Sequence, residues 1–218
     1  MTRWYWVLGL LLVIAGFAAA ASMYSALPDP MPSHWDMKGQ IDGTMPKPWG
    51  PYLLPGMMLV VWGLFAVLPR ISPRGFEMDT FTRAWAILNV TALAFMLFVE
   101  ILVLRAARDG GTLSPRPIVV GIGVLIAVLG NFLGKVTRNF FAGIRTPWTL
   151  ANEEVWLRTH RLAAKLFVLA GLVVVVAGLA GATVWPLIVA PVAAVLIAAV
   201  YSYVVYRRIE GLSARRSV

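Results

Sequence analysis

The sequence predicts an all-α integral membrane protein: a bundle of six transmembrane helices with a structured outer loop and a structured inner loop. Three observations lead there. The 218 residues are 60% hydrophobic and only 13% charged, with a mean hydropathy of +0.78; a soluble domain is about a quarter charged. The apolar residues fall into blocks of roughly 17 to 23, the length that crosses a hydrocarbon core of about 30 Å. Those blocks are continuously apolar, whereas the strands of a membrane barrel would alternate with period two.

The first span covers residues 4–21 and opens on the interfacial aromatics Trp4, Tyr5 and Trp6. Arg3 and the small residues Ala18 to Ser22 resemble a cleavable signal peptide. The length of the apolar run and the aromatic anchor favour a retained span. The second span covers 52–68 and the third 84–104. The third holds Asn89 and Glu100, and Glu100 is expected to reach the headgroups and pair with Arg105, five residues on. The fourth, 118–133, is short and glycine-rich, and its GNFLG end (130–134) has a GxxxG spacing that permits close helix contact. The fifth covers 166–182 and the sixth 184–206. The chain thus divides into 1–69 with an outer loop at 25–51, then 70–117, then 118–206, and a basic cytoplasmic tail at 207–218.

Orientation follows from the basic residues. With the N-terminus inside, the cytoplasmic side holds Arg3; Arg70, Arg74 and Arg83; six between spans four and five; and four in the tail, which makes 14 of the 19 Lys and Arg. The outer side holds Lys38, Lys47, Arg105, Arg108 and Arg116, the other five. The positive-inside rule places both termini in the cytoplasm of a bacterial inner membrane. The net charge of +9 is then explained by topology and anionic lipid, with no direct binding of nucleic acid.

The outer loop carries six prolines, at 28, 30, 32, 46, 48 and 51. They favour extended backbone, and Lys38-Gly39 and Asp42-Gly43 are turn signals, so a pair of short strands around Gly39 is expected. His34, Trp35, Asp36, Gly39 and Asp42 form the candidate outer recognition patch. Trp35 is its anchor, because large aromatics beside charges dominate binding hot spots.

The inner loop is denser in unusual residues. Pro147 biases Thr146 away from helix, so a break belongs there. Asn152 reads as an N-cap, with Glu153 and Glu154 in the first turn of a helix that continues into span five. Glu154 and Arg158 form an i,i+4 pair, while Glu153, Trp156 and His160 share another face. Gly143 permits a positive φ or a close backbone approach, and Asn139 can hydrogen-bond its own backbone. These features predict a defined loop over 135–150, re-entrant or surface-packed.

Catalytic and metal chemistry find little support. There is no cysteine, hence no thiolate ligand or nucleophile. His34 and His160 fall on opposite sides of the membrane, and a zinc site needs three or four ligands in defined spacing. Glu153 and His160 could be a base and its orienting partner, but no nucleophile completes them except Thr149 or Thr159. No enzyme, metal or cofactor is expected. A small-molecule or lipid transporter, or a membrane enzyme using 138–161, is the alternative; a transporter would call for mid-membrane polar residues and inverted repeats, and only Asn89 is well placed.

The stretch GNFLGK…RNFFAGIRTPWTL…EEVW…THR resembles the signature of the SdpI family, membrane immunity proteins of the sporulation-delaying toxin system. MPSHWDMKGQIDGTMPK is similar to the small domain of unknown function that precedes it in many members. The resemblance covers about half of the chain. On it, the signature positions are Asn131, Gly134, Lys135, Arg138, Asn139, Gly143, Arg145, Thr146, Pro147, Trp148, Thr149, Glu153, Trp156, His160 and Arg161. Ala151 stands where the family often has Ser, and Val136-Thr137 replaces a more basic or proline-bearing pair. The resemblance implies immunity to a secreted peptide toxin, met outside. It also implies signalling by holding a small DNA-binding repressor at the membrane from inside; of the candidate positions, Asn131, Lys135, Arg138, Asn139, Arg145, Thr146, Pro147, Trp148, Glu153, Trp156, His160 and Arg161 would serve ligand or partner.

Overall fold

The computed structural model describes residues 3–76, 78–181 and 185–216. Helix α1 (Arg3–Met23) leads into the hairpin of strands β1 (Met31–Trp35) and β2 (Ile41–Met45). Helices α2 (Leu53–Val67), α3 (Thr82–Arg108) and α4 (Pro115–Leu133) follow, then a short α5 (Pro147–Ala151), α6 (Glu153–Leu179) and α7 (Trp185–Arg216). Six of the helices are long and apolar enough to cross a membrane. Their apolar side chains, such as Leu169, Val176 and Leu179 on α6 and Val192, Leu196 and Val200 on α7, lie exposed, as a lipid solvent allows. The predicted all-α membrane architecture is present.

Four of the expected spans begin and end within one of these helices or at its edge; Tyr52 and Leu68 fall in the 3-10 turns flanking α2, and α6 ends at Leu179, so residues 180–181 of the fifth span form a turn beyond it. Residues 182 and 184, the predicted bounds of spans five and six, lie outside the described residues. The residues read as a basic tail continue α7 as far as Arg216, and 217–218 lie outside the description. The hairpin around Gly39 forms as expected. Asp36 closes its turn, with Oδ1 accepting from the amides of Lys38 and Gln40, both at 2.8 Å. Asp42-Gly43 is not a turn. It lies within β2, where Gly43 pairs with His34 beside a shift in register.

The bundle is built from two halves. In one, α1 packs on α2 and α3, and in the other α4 packs on α6 and α6 on α7, while α3 and α4 link them. The α4–α6 seam is the tightest. A Cβ added at Gly123 would lie 2.7 Å from the Val175 amide, and one at Gly171 would lie 2.5 Å from the Ala127 amide. Gly130 lies as close to Phe167, and Gly178 to Val120. Small residues let helix backbones touch where lipid supplies no hydrophobic drive. Of the expected GxxxG pair, Gly130 is in the seam, but Gly134 keeps ordinary contact distance; Gly123 takes the partner role, seven residues earlier.

Two apolar clusters close the ends of the bundle. Leu27, Met31, Leu104 and Ala107 are buried where the hairpin meets α3. Met78, Phe81, Trp85, Val136 and Trp156 are buried where the loop after α4 meets the start of α3. The hairpin end and the signature-loop end are therefore opposite ends of one bundle.

Candidate functional site

The loop between α4 and α5 holds no regular structure, so its buried backbone groups need partners other than a helix or sheet ladder. Asn139 supplies several of them. It is fully buried, and its Oδ1 accepts from the amides of Phe141 and Ala142 at 2.8 and 2.7 Å. Its Nδ2 donates to the carbonyls of Thr137 and Ala142 at 2.9 and 3.0 Å. An amide side chain has two donors and one two-lone-pair oxygen, so its capacity is filled.

Thr149 does the same at the α5 cap. Its Oγ1 accepts from the Thr146 amide at 2.9 Å, and the Ile144 carbonyl lies 2.8 Å away as its acceptor. Thr146 Oγ1 accepts from the Thr149 amide in return, completing a capping box. Pro147 sits at the first helical position, where its missing N–H costs nothing. The expected cap at Asn152 is also present, with its side chain accepting from the amides of Glu154 and Val155. The Glu154–Arg158 pair forms at 2.5 Å on the exposed face.

His160 and Trp156 form the floor of the loop. Their rings stack 3.9 Å apart, and both are buried. His160 Nε2 accepts the Ile144 amide at 3.0 Å, while Nδ1 lies 2.8 Å from the Trp156 carbonyl. An acceptor at Nε2 and a carbonyl at Nδ1 require the neutral ring with its proton on Nδ1. The Trp156 indole donates to the Val136 carbonyl at 2.8 Å. Gly143, with φ 113°, is pressed against His160 Nε2 so closely that a Cβ would collide with it.

Glu153 does not join this face. It is exposed in the first turn of α6, and both His160 nitrogens are already engaged by backbone. The acid–histidine pairing that the sequence left open does not form, and His160 is a structural histidine bonded to backbone.

The remaining signature residues lie around the rim. Arg138 Nη1 donates to the Leu150 carbonyl at 3.0 Å, and its guanidinium lies 5.3 Å from the centre of the Phe76 ring. Arg145, exposed, donates to the Phe140 carbonyl at 2.5 Å. Trp148 packs on Tyr203 of α7 at 5.0 Å between ring centres. Lys135 lies over Phe132 at 4.6 Å. Asn131 and Arg161 are exposed, Asn131 in a shallow groove with Lys165 and Leu169. Behind the loop, a cavity of about 790 Å³ opens between the two halves of the bundle, with Gly143, Arg145 and Thr146 at the loop and Trp85, Leu129 and Val195 among its apolar walls.

At the other end, His34 and Asp42 are exposed and paired at 2.5 Å. Trp35 is half-buried, its indole donating to the Gly111 carbonyl at 3.4 Å. Gly39, with φ 78°, lies against the Leu113 carbonyl, and its own carbonyl accepts the Leu113 amide at 3.0 Å. The hairpin is thus fastened to the α3–α4 connection, and only His34 and Asp42 of the patch present free polar surface.

One anchoring contact escaped the sequence, and two polar residues it singled out lie in surroundings it did not indicate. Ser202 on α7 bonds Thr146 Oγ1 at 3.0 Å and anchors the loop to the last helix; its sole signal was one serine in an apolar run. Asn89 and Glu100 face α1, beside Gly9 and Gly16 respectively, and neither side chain has a hydrogen-bond partner among the described residues. Glu100 does not pair with Arg105 as expected. It points into the bundle, 1% exposed, whereas Arg105 points out; five residues on a helix is more than one turn, which sends the two side chains to different faces.

Comparison with known proteins agrees with the signature. Residues 135–204 match the SdpI/YfhL protein family, and residues 11–59 match a domain of unknown function, DUF1648. The chain is similar to Immunity protein SdpI of Bacillus subtilis (strain 168), with 25% identity over 207 residues, covering 94% of this chain and 97% of that one. No solved structure matches it.

Proposed function

We infer, for a multi-pass membrane protein of the SdpI family, that its work is immunity: it protects the cell that carries it from a secreted peptide toxin. What carries this reading is an alignment to an immunity protein that runs through both ends of the bundle, hairpin and signature loop alike. The hairpin end faces outward and meets the toxin; the loop end and both termini face the cytoplasm. His34, Trp35, Asp36, Gly39 and Asp42 form the receiving surface. On the inner side the rim of the loop, with Lys135, Arg138, Arg145 and Trp148, holds a small DNA-binding repressor when toxin is engaged. Asn139, Thr146, Pro147, Trp156 and His160 give that rim its shape, and Asn131, Glu153 and Arg161 extend it.

The reading is non-enzymatic. The two groups that could have made a base and its partner, Glu153 and His160, lie apart, and the histidine is tied to backbone on both nitrogens. The test is survival: a toxin-sensitive strain expressing this chain is challenged with the secreted peptide made by its own source. Protection is expected; equal killing with and without the chain, at confirmed membrane expression, would overturn the reading.

A further inference from the structure

Glu100 is the one buried acid among the described residues, 1% exposed, and neither of its oxygens has a partner. A lone carboxylate at this depth in a bundle is costly, and such groups are retained for function. It lines a small cavity of about 90 Å³ between the hairpin and the tops of α2 and α3. The other walls include Met31, Met45, Leu54 and Leu104, with Ser33 as a polar exception. Ser33 and Met45 are half-buried and carry the cavity towards the surface. On the α1 side, a Cβ at Gly16 would lie 2.8 Å from Glu100 Oε2. Glycine there makes room for the carboxylate where α1 closes the wall.

Apolar walls ending on a carboxylate suit one kind of guest: an aliphatic stem with a cationic tip. A single water needs roughly 10–15 Å³ of such space, so the cavity holds several waters or a short methylene chain with its ammonium. The three N–H donors of an ammonium match two carboxylate oxygens and a serine hydroxyl. A metal ion is the poorer guest, since no three His, Cys, Asp or Glu side chains cluster among the described residues. We propose that this cavity is a receptor pocket for a primary alkylammonium, the side chain of a lysine on a peptide engaging the hairpin end. This deepens the immunity reading and rests on it for the identity of the peptide, but not for the chemistry of the pocket.

The experiment is binding to the purified full chain in lipid nanodiscs, with Nα-acetyl-lysine methylamide as probe and the neutral norleucine analogue as its control. Saturable binding with a preference of about tenfold or more for the lysine compound is expected, the scale of hydrogen bonds to a charged group. Glu100→Gln, which keeps shape and removes only charge, should abolish the preference. Leu54→Phe, which fills the cavity and leaves the carboxylate, should abolish binding of both compounds. Equal binding of the two probes, no saturable binding, or a preference retained in Glu100→Gln would overturn the proposal. Because the readout involves no cells, it can fail while protection holds, and hold where protection fails.

Discussion

Gly143 and His160 touch in a way that leaves no room for a side chain between them. The loop backbone reaches its hydrogen bond to His160 Nε2 through Ile144, and it can approach only because position 143 has no Cβ and adopts φ 113°. Gly143→Ala therefore combines a clash with backbone strain, and strain of this kind alone costs about 1–3 kcal/mol. Gly75→Ala is the comparison: its φ is 84°, but a Cβ added there would meet nothing within 4 Å. Thermal unfolding in detergent should show the larger loss for Gly143→Ala; equal losses would mean the contact with His160 contributes nothing.

Asn139→Asp tests the loop from its other support. The change keeps size and the Oδ1 acceptor, but it replaces two donors by an oxygen facing the carbonyls of Thr137 and Ala142. Each buried group left unsatisfied costs about 1–3 kcal/mol. Amide hydrogen exchange at Phe141 and Ala142 should accelerate strongly, with little change in the hairpin. Unaltered protection would show that the loop is held elsewhere.

The threading of the chain is checked by reporter fusions at Lys38 and Arg145. The excess of basic residues at the loop end predicts that Lys38 reports outside and Arg145 inside. The same side for both would remove the two-faced mechanism.

Arg145→Ala is expected to abolish protection or signalling at near-normal protein level, since this arginine is exposed at the rim and oriented by the Phe140 carbonyl. Arg158→Ala is the control, a residue engaged only in an exposed pair with Glu154, a pair worth at most about 0.5 kcal/mol. Survival assays that showed equal loss for both would point to bulk positive charge instead.

Asp42→Asn addresses the hairpin. Asp36 is committed to the turn, so replacing it would disturb the fold; Asp42 pairs with the exposed His34. A several-fold fall in the toxin dose tolerated is expected, with no change in thermal stability. Full protection at equal expression would remove the acidic surface from the mechanism.

Local chemistry made much of this legible. Apolar length marked the spans, prolines and Gly39 marked the hairpin, and the Thr146-Pro147 break and the Asn152 cap marked the start of α6. Asn139 is readable as a backbone device because it acts within three residues of itself, and Gly143 is readable as a point of positive φ or close approach, though its partner His160 lies seventeen residues on. What was hidden depends on side chains meeting across helices. Glu100 and Arg105 are close in sequence, yet five residues along α3 turn their side chains to different faces. Ser202 and the register of Gly123 and Gly130 against Gly171 and Gly178 are contacts between remote segments, and no local pattern states which faces meet.

The α4–α6 seam has a consequence for how the protein is made. A growing chain leaves the ribosome from its N-terminus at about 5–20 residues per second, so α4 enters the bilayer before its partner exists. Its glycine face then has only lipid to touch until α6 arrives. When the two helices close, they fix both ends of the intervening segment at once, and the cost of closing that loop is met inside the membrane. The signature loop thus takes its path when α4 and α6 pair, and its surface is finished only when α7 brings Ser202 against Thr146 and Tyr203 against Trp148.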